Sequence, residues 1–282
     1  MPSHAAAAAT TRLQRYLNTT LESALLNQAD ATVSSSKTPW SLSLTATNTN
    51  GSPIKVYTSA TPASSSLRFR VVTVINASPK VVFKAMNIER LSWDGGMASL
   101  QVLRKWPASA ETCPTKPGIM KAGESSCGDF NHVVYATKPA LGGSISSRVF
   151  EEVRYFYPRG YSHMGFVVLG MKEVAREYVA GSRDPDFDQV ILAPPYPTKN
   201  VRATNLEAAQ FLTASGGGTI VTSINCTAIG GWLPVSTVNG ATSQSIVDSM
   251  KAVTRYIEEE GGGRGGEEGE SDEEVFYDAV ED

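Results

Sequence analysis

The run GTIVTSINCTAIGGWLP, residues 218–234, followed by VSTVNGATSQSIVDSMKAVTRYI, residues 235–257, decides the reading of this chain. Residues 218–227 have the β-branched content of a long strand. Pro234 closes the Gly-Gly-Trp-Leu segment 230–233, and Asn239-Gly240 predicts a turn or break. From about Thr242 the period changes. Ile246, Met250, Val253 and Ile257 recur at steps of four, three and four, which is one face of a helix. Gln244, Asp248, Lys251 and Arg255 lie mostly elsewhere. The spacing predicts a helix of about 16 residues, roughly 24 Å long. A closing amphipathic helix after a meander of strands lays its apolar face across the open side of a curved sheet.

The chain upstream supplies that meander. Residues 1–9 read as disordered, and 10–27 as a helix with Leu13, Leu17, Leu21 and Leu25 on one face. Trp40, Leu42 and Leu44 alternate with Ser41, Ser43 and Thr45, a half-buried strand over 40–47. Strands are expected at 54–58, 67–76, 100–106, 130–138, 148–157, 162–172, 201–213 and 218–227, about nine in all. Ser78-Pro79 opens a helix, with Ser as N-cap and Pro in the first turn. A second short helix is expected over 88–97. Residues 107–128 read as a long connection, 139–147 as a Gly-rich loop, and 184–200, with four prolines, as an irregular excursion. Consecutive strands with segregated helices predict an α+β fold on an antiparallel sheet.

Composition narrows the function classes. The 282 residues carry a net charge of −3, unevenly spread. Residues 258–282 hold 12 acidic residues and one basic residue, Arg264. That leaves 16 acidic and 24 basic residues in the body, so the body is near +8 and the tail near −11. A basic body favours anionic surfaces, lipid headgroups included. No Lys/Arg cluster with interleaved aromatics points to nucleic acid. Cys113, Cys127 and Cys226 make no CxxC pair, and His4, His132 and His163 have no metal-ligand spacing, so no metal or cofactor is expected. Whether Cys113 and Cys127 pair is open. No apolar run approaches a membrane span. Arg12 and Arg15 in a Ser/Thr/Ala-rich start are compatible with a transit peptide; the reading otherwise is cytoplasmic. No GxSxG, HExxH or P-loop is present.

Gly231-Trp232-Leu233-Pro234, between a last strand and a long closing helix, resembles the C-terminal part of START domains, the StAR-related lipid-transfer modules. The order of elements over about 240 residues is similar to their helix-grip fold, with the closing helix over a hydrophobic cavity. The resemblance implies a lipid-binding domain over 10–257. It extends to Arg90-Leu91-Ser92-Trp93-Asp94. In phosphatidylcholine-transfer relatives the matching Arg meets the lipid phosphate and the matching Asp holds it. The chemistry is sensible: a guanidinium binds phosphate by a two-point fork, and a carboxylate at i+4 orients it. A plain surface ion pair, worth under about 1 kcal/mol, is the other reading.

The run Ser147-Arg148-Val149-Phe150-Glu151-Glu152-Val153-Arg154 is similar to a second START motif, with Val149 where an Asp is usual. Phe150, Glu152, Arg154 and Phe156 alternate onto one strand face. In sterol-binding relatives the residue matching Arg154 is a buried cation near the ligand hydroxyl, and Glu152 is its nearest acidic neighbour on that face. Tyr135 belongs to the preceding strand. The aromatic cage of choline-selective relatives is incomplete, its Trp falling on Ala136 and its Tyr on Phe150. The expected lipid-contacting set is therefore Tyr135, Phe150, Glu152, Arg154, Arg90 and Asp94, with Ile246, Met250 and Val253 from the closing helix.

Residues 258–282 read as an acidic flexible tail. Phe276-Tyr277-Asp278-Ala279-Val280-Glu281 resembles the FFAT motif, which binds VAMP-associated proteins on the endoplasmic reticulum. Tyr277 replaces the second Phe, and Val275 stands where Glu is usual. The resemblance implies partner contacts by Phe276, Tyr277, Asp278, Ala279 and Glu281. The acidic flank would steer and the aromatic would anchor; a solubilising tail is the other reading. The expectation is a lipid carrier that visits membranes transiently and docks at the endoplasmic reticulum. A lipid-regulated adaptor, or an enzyme on the same scaffold using Glu152, are the alternatives.

Overall fold

Among the described residues, alternation of apolar and polar side chains builds ten strands into one sheet. The computed structural model describes residues 40–61, 64–106, 130–140, 143, 145–159, 163–170, 201–232 and 234–263. The strands are β1 (Ser41–Thr47), β2 (Pro53–Thr61), β3 (Ser64–Ile75), β4 (Met97–Trp106), β5 (Phe130–Thr137), β6 (Arg148–Arg159), β7 (His163–Gly170), β8 (Val201–Arg202), β9 (Thr204–Ser215) and β10 (Gly218–Ala228). Their order is β1-β2-β3-β10-β9-β7-β6-β5-β4, antiparallel throughout, with β8 lying parallel to β6 off this path. The expected strand 201–213 is thus two elements, split at Ala203, whose N–H donates to the Val149 carbonyl.

Among the described residues, three helices interrupt or follow the strands: α1 (Pro79–Asn87), α2 (Arg90–Trp93) and α3 (Val235–Gly263). Ser78 caps α1 as its sequence predicts, its side chain accepting from the Val81 N–H, with Pro79 in the first turn. The second helix is four residues rather than the ten expected over 88–97. Gly95 and Gly96 follow it, and Met97 already pairs with Thr137 in the sheet.

The closing helix departs most from expectation. It begins at Val235, runs through Asn239-Gly240 without a break, and ends at Gly263, six residues past 257. A glycine costs a helix only about 1 kcal/mol. Two hydrogen bonds offset that cost. The Asn239 side chain accepts from the Leu67 N–H at 3.4 Å, and Thr242 Oγ1 donates to the Val238 carbonyl at 2.7 Å.

One face of the sheet carries the packing. Val247, Met250, Val253 and Ile257 of α3 join Ile54, Val56, Phe69, Val71 and Ile75 of β2–β3, and Val82, Phe83 and Met86 of α1, in one core. Each such side chain, fully buried, contributes about 1.5–3 kcal/mol. Helix α1 is tied down across the sheet centre, where Asn87 Nδ2 donates to Gln210 Oε1 at 3.1 Å. The row Phe69, Asn225, Ala208, Val168, Arg154, Asn131 runs across six strands as direct partners. Directly opposed residues share a face, so Arg154 looks to the same side as the core beneath α3. The helix-grip arrangement expected from the sequence is the one observed.

Candidate functional site

Strand β6 presents Phe150, Glu152 and Arg154 on this inner face, and β5 presents Tyr135 beside them. Glu152 is 2% exposed and Arg154 4% exposed. Two such charges are tolerated away from water only when paired. Arg154 Nε donates to Glu152 Oε1 at 2.7 Å. The other carboxylate oxygen, Oε2, accepts from Asn205 Nδ2 at 2.8 Å, and the same amide donates to the Tyr135 hydroxyl at 3.0 Å. Thr227 Oγ1 lies 2.7 Å from Asn205 Oδ1 and 2.6 Å from Asn225 Oδ1. The Tyr135 ring stacks on Phe150 with centroids 4.6 Å apart and planes 5° apart, and the Arg154 guanidinium lies 5.4 Å from its centroid. Met97, Val133, Ala203 and Leu100 pack around these two rings.

Burial pushes the Tyr135 phenol far above its ordinary range, and the Glu152 charge pushes it further; Arg90, Arg154 and the Asn205 hydrogen bond oppose them. Tyr135 therefore remains a neutral hydroxyl at any physiological pH.

Asn205 is the member that sequence reading missed. Strand β9 pairs regularly with β10 from Ser215 to Glu207, with even-numbered residues inward. Cys226 then faces Glu207, but Thr227 faces Asn205. Leu206 is the extra residue of a β-bulge. A bulge re-aims the side chains beyond it, so odd-numbered Asn205 turns to the inner face while Leu206 is half exposed. Asn and Leu at a strand end carry no sequence signal for such a shift.

The remaining expected site residues are not all brought to this cluster. Arg90 Nε meets Asp94 Oδ2 at 2.9 Å across one turn of α2, the i,i+4 pair expected from the sequence. The pair is partly buried, and the Arg90 charge reaches Tyr135. Met250, Val253 and the half-buried Ile246 belong instead to the core over β2–β3. That core shares no residue with the cluster around Tyr135 and Phe150. These three hold the helix onto the sheet, apart from the cluster around Tyr135 and Phe150. Trp232, in the loop between β10 and α3, is 88% exposed. Phe276, Tyr277, Asp278, Ala279 and Glu281 lie outside the described residues, as do Cys113, Cys127 and the helix expected over 10–27.

A second feature lies at the other end of the inner face. An open cleft of about 360 Å³ separates the first turns of α3 from β1–β3, lined by Leu44, Thr58, Leu67, Asn239, Gly240 and Ser243 among others. It contains none of the charged pair's residues, so it is not where polar chemistry is concentrated. Among the described residues no group of three metal-ligating side chains gathers, and no helix is long and apolar enough to cross a membrane.

Solved structures share this architecture. Human StAR-related lipid transfer protein 5 superposes with a TM-score of 0.62 over 87% of this chain and 98% of that one, at 12% identity. A STAR-related lipid transfer protein from Xanthomonas axonopodis gives a TM-score of 0.52 over 78% of this chain and 98% of that one, at 17% identity. The fold is therefore that of START domains. No protein-family model matches the sequence, and no curated protein does.

Proposed function

We propose that this protein binds one lipid within the curve of its sheet and carries it between membranes. The carrying observation is the buried network Arg154–Glu152–Asn205–Tyr135 on the inner face, a small polar island beside apolar packing. A lipid needs that pairing of surfaces: an apolar lining for its chain or ring system and a few fixed polar groups for its head. Each methylene withdrawn from a bilayer into water costs about 0.8 kcal/mol, so about 16 of them oppose transfer by roughly 13 kcal/mol. A dry protein interior replaces the bilayer and removes most of that barrier, with no covalent step. Vesicle exchange tests this reading. A carrier at catalytic concentration speeds movement of a fluorescent lipid from donor to acceptor vesicles; exchange no faster than in its absence contradicts it.

The tail extends the proposal to a place. Phe276 and Tyr277 in their acidic flank would dock on a VAMP-associated protein at the endoplasmic reticulum, bringing the carrier to one donor or acceptor membrane. The support is sequence alone: aromatics are unexpected in a purely solubilising acidic segment.

A further inference from the structure

Counting protons in the buried network assigns a direction to each hydrogen bond. Glu152 is an acceptor only, so the Asn205 atom facing it is the amide nitrogen, as drawn at 2.8 Å. An amide nitrogen has two hydrogens. One goes to Glu152 and the other to the Tyr135 oxygen at 3.0 Å. Glu152 itself holds Asn205 in that orientation; Oδ1 faces the Thr227 hydroxyl at 2.7 Å, whose one proton also has Asn225 Oδ1 as an acceptor at 2.6 Å. The Tyr135 oxygen is thus an acceptor toward Asn205, and its own proton must point elsewhere. Among the described residues no acceptor receives it. The ring cannot swing to find one, since it is stacked on Phe150 and only 7% exposed.

Resting on the lipid-binding reading above, we infer that Tyr135 is the specificity-determining donor of the site, and that the polar group it selects is uncharged, a hydroxyl or carbonyl of a neutral lipid. The charge balance of the cluster carries the second half. Glu152 and Arg154 are joined at 2.7 Å and sum to zero, while Tyr135 and Asn205 are neutral. A phosphate placed there adds a buried negative charge beside a carboxylate, with Arg154 already engaged by that carboxylate and Arg90, whose charge reaches Tyr135, engaged by Asp94. An alcohol fits without such a penalty. It accepts from Tyr135 and donates to Glu152, whose two oxygens have lone pairs beyond those used by Arg154 and Asn205. The two N–H bonds of one amide diverge by about 120°, which puts the Tyr135 and Glu152 oxygens about 5 Å apart, within the span of one bridging oxygen.

Two variants isolate the donor. Tyr135→Phe keeps the stacked ring and deletes the proton. Asn205→Asp keeps the shape and changes the count: a carboxyl group brings at most one proton, Glu152 takes it, and Tyr135 turns its own proton onto the new group. Binding is measured with five fluorescent lipids presented in vesicles: a sterol alcohol, a ceramide, a diacylglycerol, a phosphatidylcholine and a phosphatidylserine. The expected result is that one of the three uncharged probes binds wild type at least tenfold more tightly than either phospholipid. Both variants should then bind that probe about tenfold more weakly, the loss expected for one buried hydrogen bond. A phospholipid that binds tightest, or folded variants that bind the neutral probe like wild type, overturns the assignment and leaves the carrier reading standing. Failure of all five lipids to bind wild type overturns both.

Discussion

Arg154 and Glu152 stand two residues apart on one strand, face the same side of the sheet, and meet at 2.7 Å while each is at least 96% buried. An ion pair so placed does little for net stability, since desolvation cancels most of the attraction. Its members are nonetheless mutually dependent.

Removing one partner should therefore act on the fold before it acts on ligand choice. Glu152→Leu leaves Arg154 without its carboxylate and should cost about 3–5 kcal/mol in urea denaturation. The double variant Glu152→Leu/Arg154→Leu should recover most of that loss. Equal stability of the single variant and wild type would mean that Arg154 has enough water or other acceptors to dispense with Glu152.

The buried phenol of Tyr135 makes stability fall at alkaline pH. Its proton is held more tightly folded than unfolded, chiefly through burial. Its contribution is complete below pH about 10, the ordinary phenol value, and declines as pH rises above that, by up to about 1.4 kcal/mol per pH unit. Tyr256, raised first by burial and then by Glu89, acts in the same direction. Denaturation curves at pH 9, 10 and 11 should show a shallower decline for Tyr135→Phe than for wild type. Parallel declines would contradict the assignment of the effect to Tyr135.

Two glycines in the closing segment should respond oppositely to alanine. Gly240 lies within α3, and a Cβ there meets nothing within 4 Å. Gly240→Ala should stabilise by about 0.5–1 kcal/mol. Gly230 has φ +70°, and a Cβ there would collide with the Arg202 carbonyl oxygen. Gly230→Ala should destabilise by about 1 kcal/mol or more. Thermal melting of both variants checks the pair. A stabilised Gly230 variant would mean that the turn before Trp232 is not held as described.

Much of this architecture was legible in the residues. Strand alternation, the Ser78-Pro79 helix start and the apolar stripe of Met250, Val253 and Ile257 are local signals, and each led to the element observed. The pairing of Glu152 with Arg154 was legible because i and i+2 share a strand face. Asn205 was not, because its inward aim depends on one extra residue, Leu206, in a ladder whose partner lies twenty residues downstream. Asn239-Gly240 misled because a helix break is a local preference, and the Leu67 N–H outbids it from a strand 172 residues away. The stripe on α3 was legible as the face laid on the sheet, but not as to which strands it covers; periodicity finds a face, and the packing against β2–β3 and α1 is set by the tertiary fold.

The tail separates into two physical contributions that salt can distinguish. Asp272, Glu273 and Glu274 should set the association rate and its salt dependence, since exposed charges act over about 8 Å at physiological ionic strength. Phe276 should set dissociation. Phe276→Ala should cost about 2 kcal/mol or more against a VAMP-associated protein domain. It should leave lipid exchange in solution unchanged. Calorimetry with the purified partner domain decides this. Wild-type tail binding no tighter than the variant would make the segment a solubilising tail.

The central claim, that one lipid occupies the inner face beside Glu152 and Arg154, is tested most directly by native mass spectrometry of the protein purified from cells. The account predicts a species heavier than the chain by the mass of one lipid. It also predicts loss of that adduct in the folded double variant Glu152→Leu/Arg154→Leu. A folded wild-type protein that flies as bare chain, from cells and after incubation with membranes alike, would contradict it.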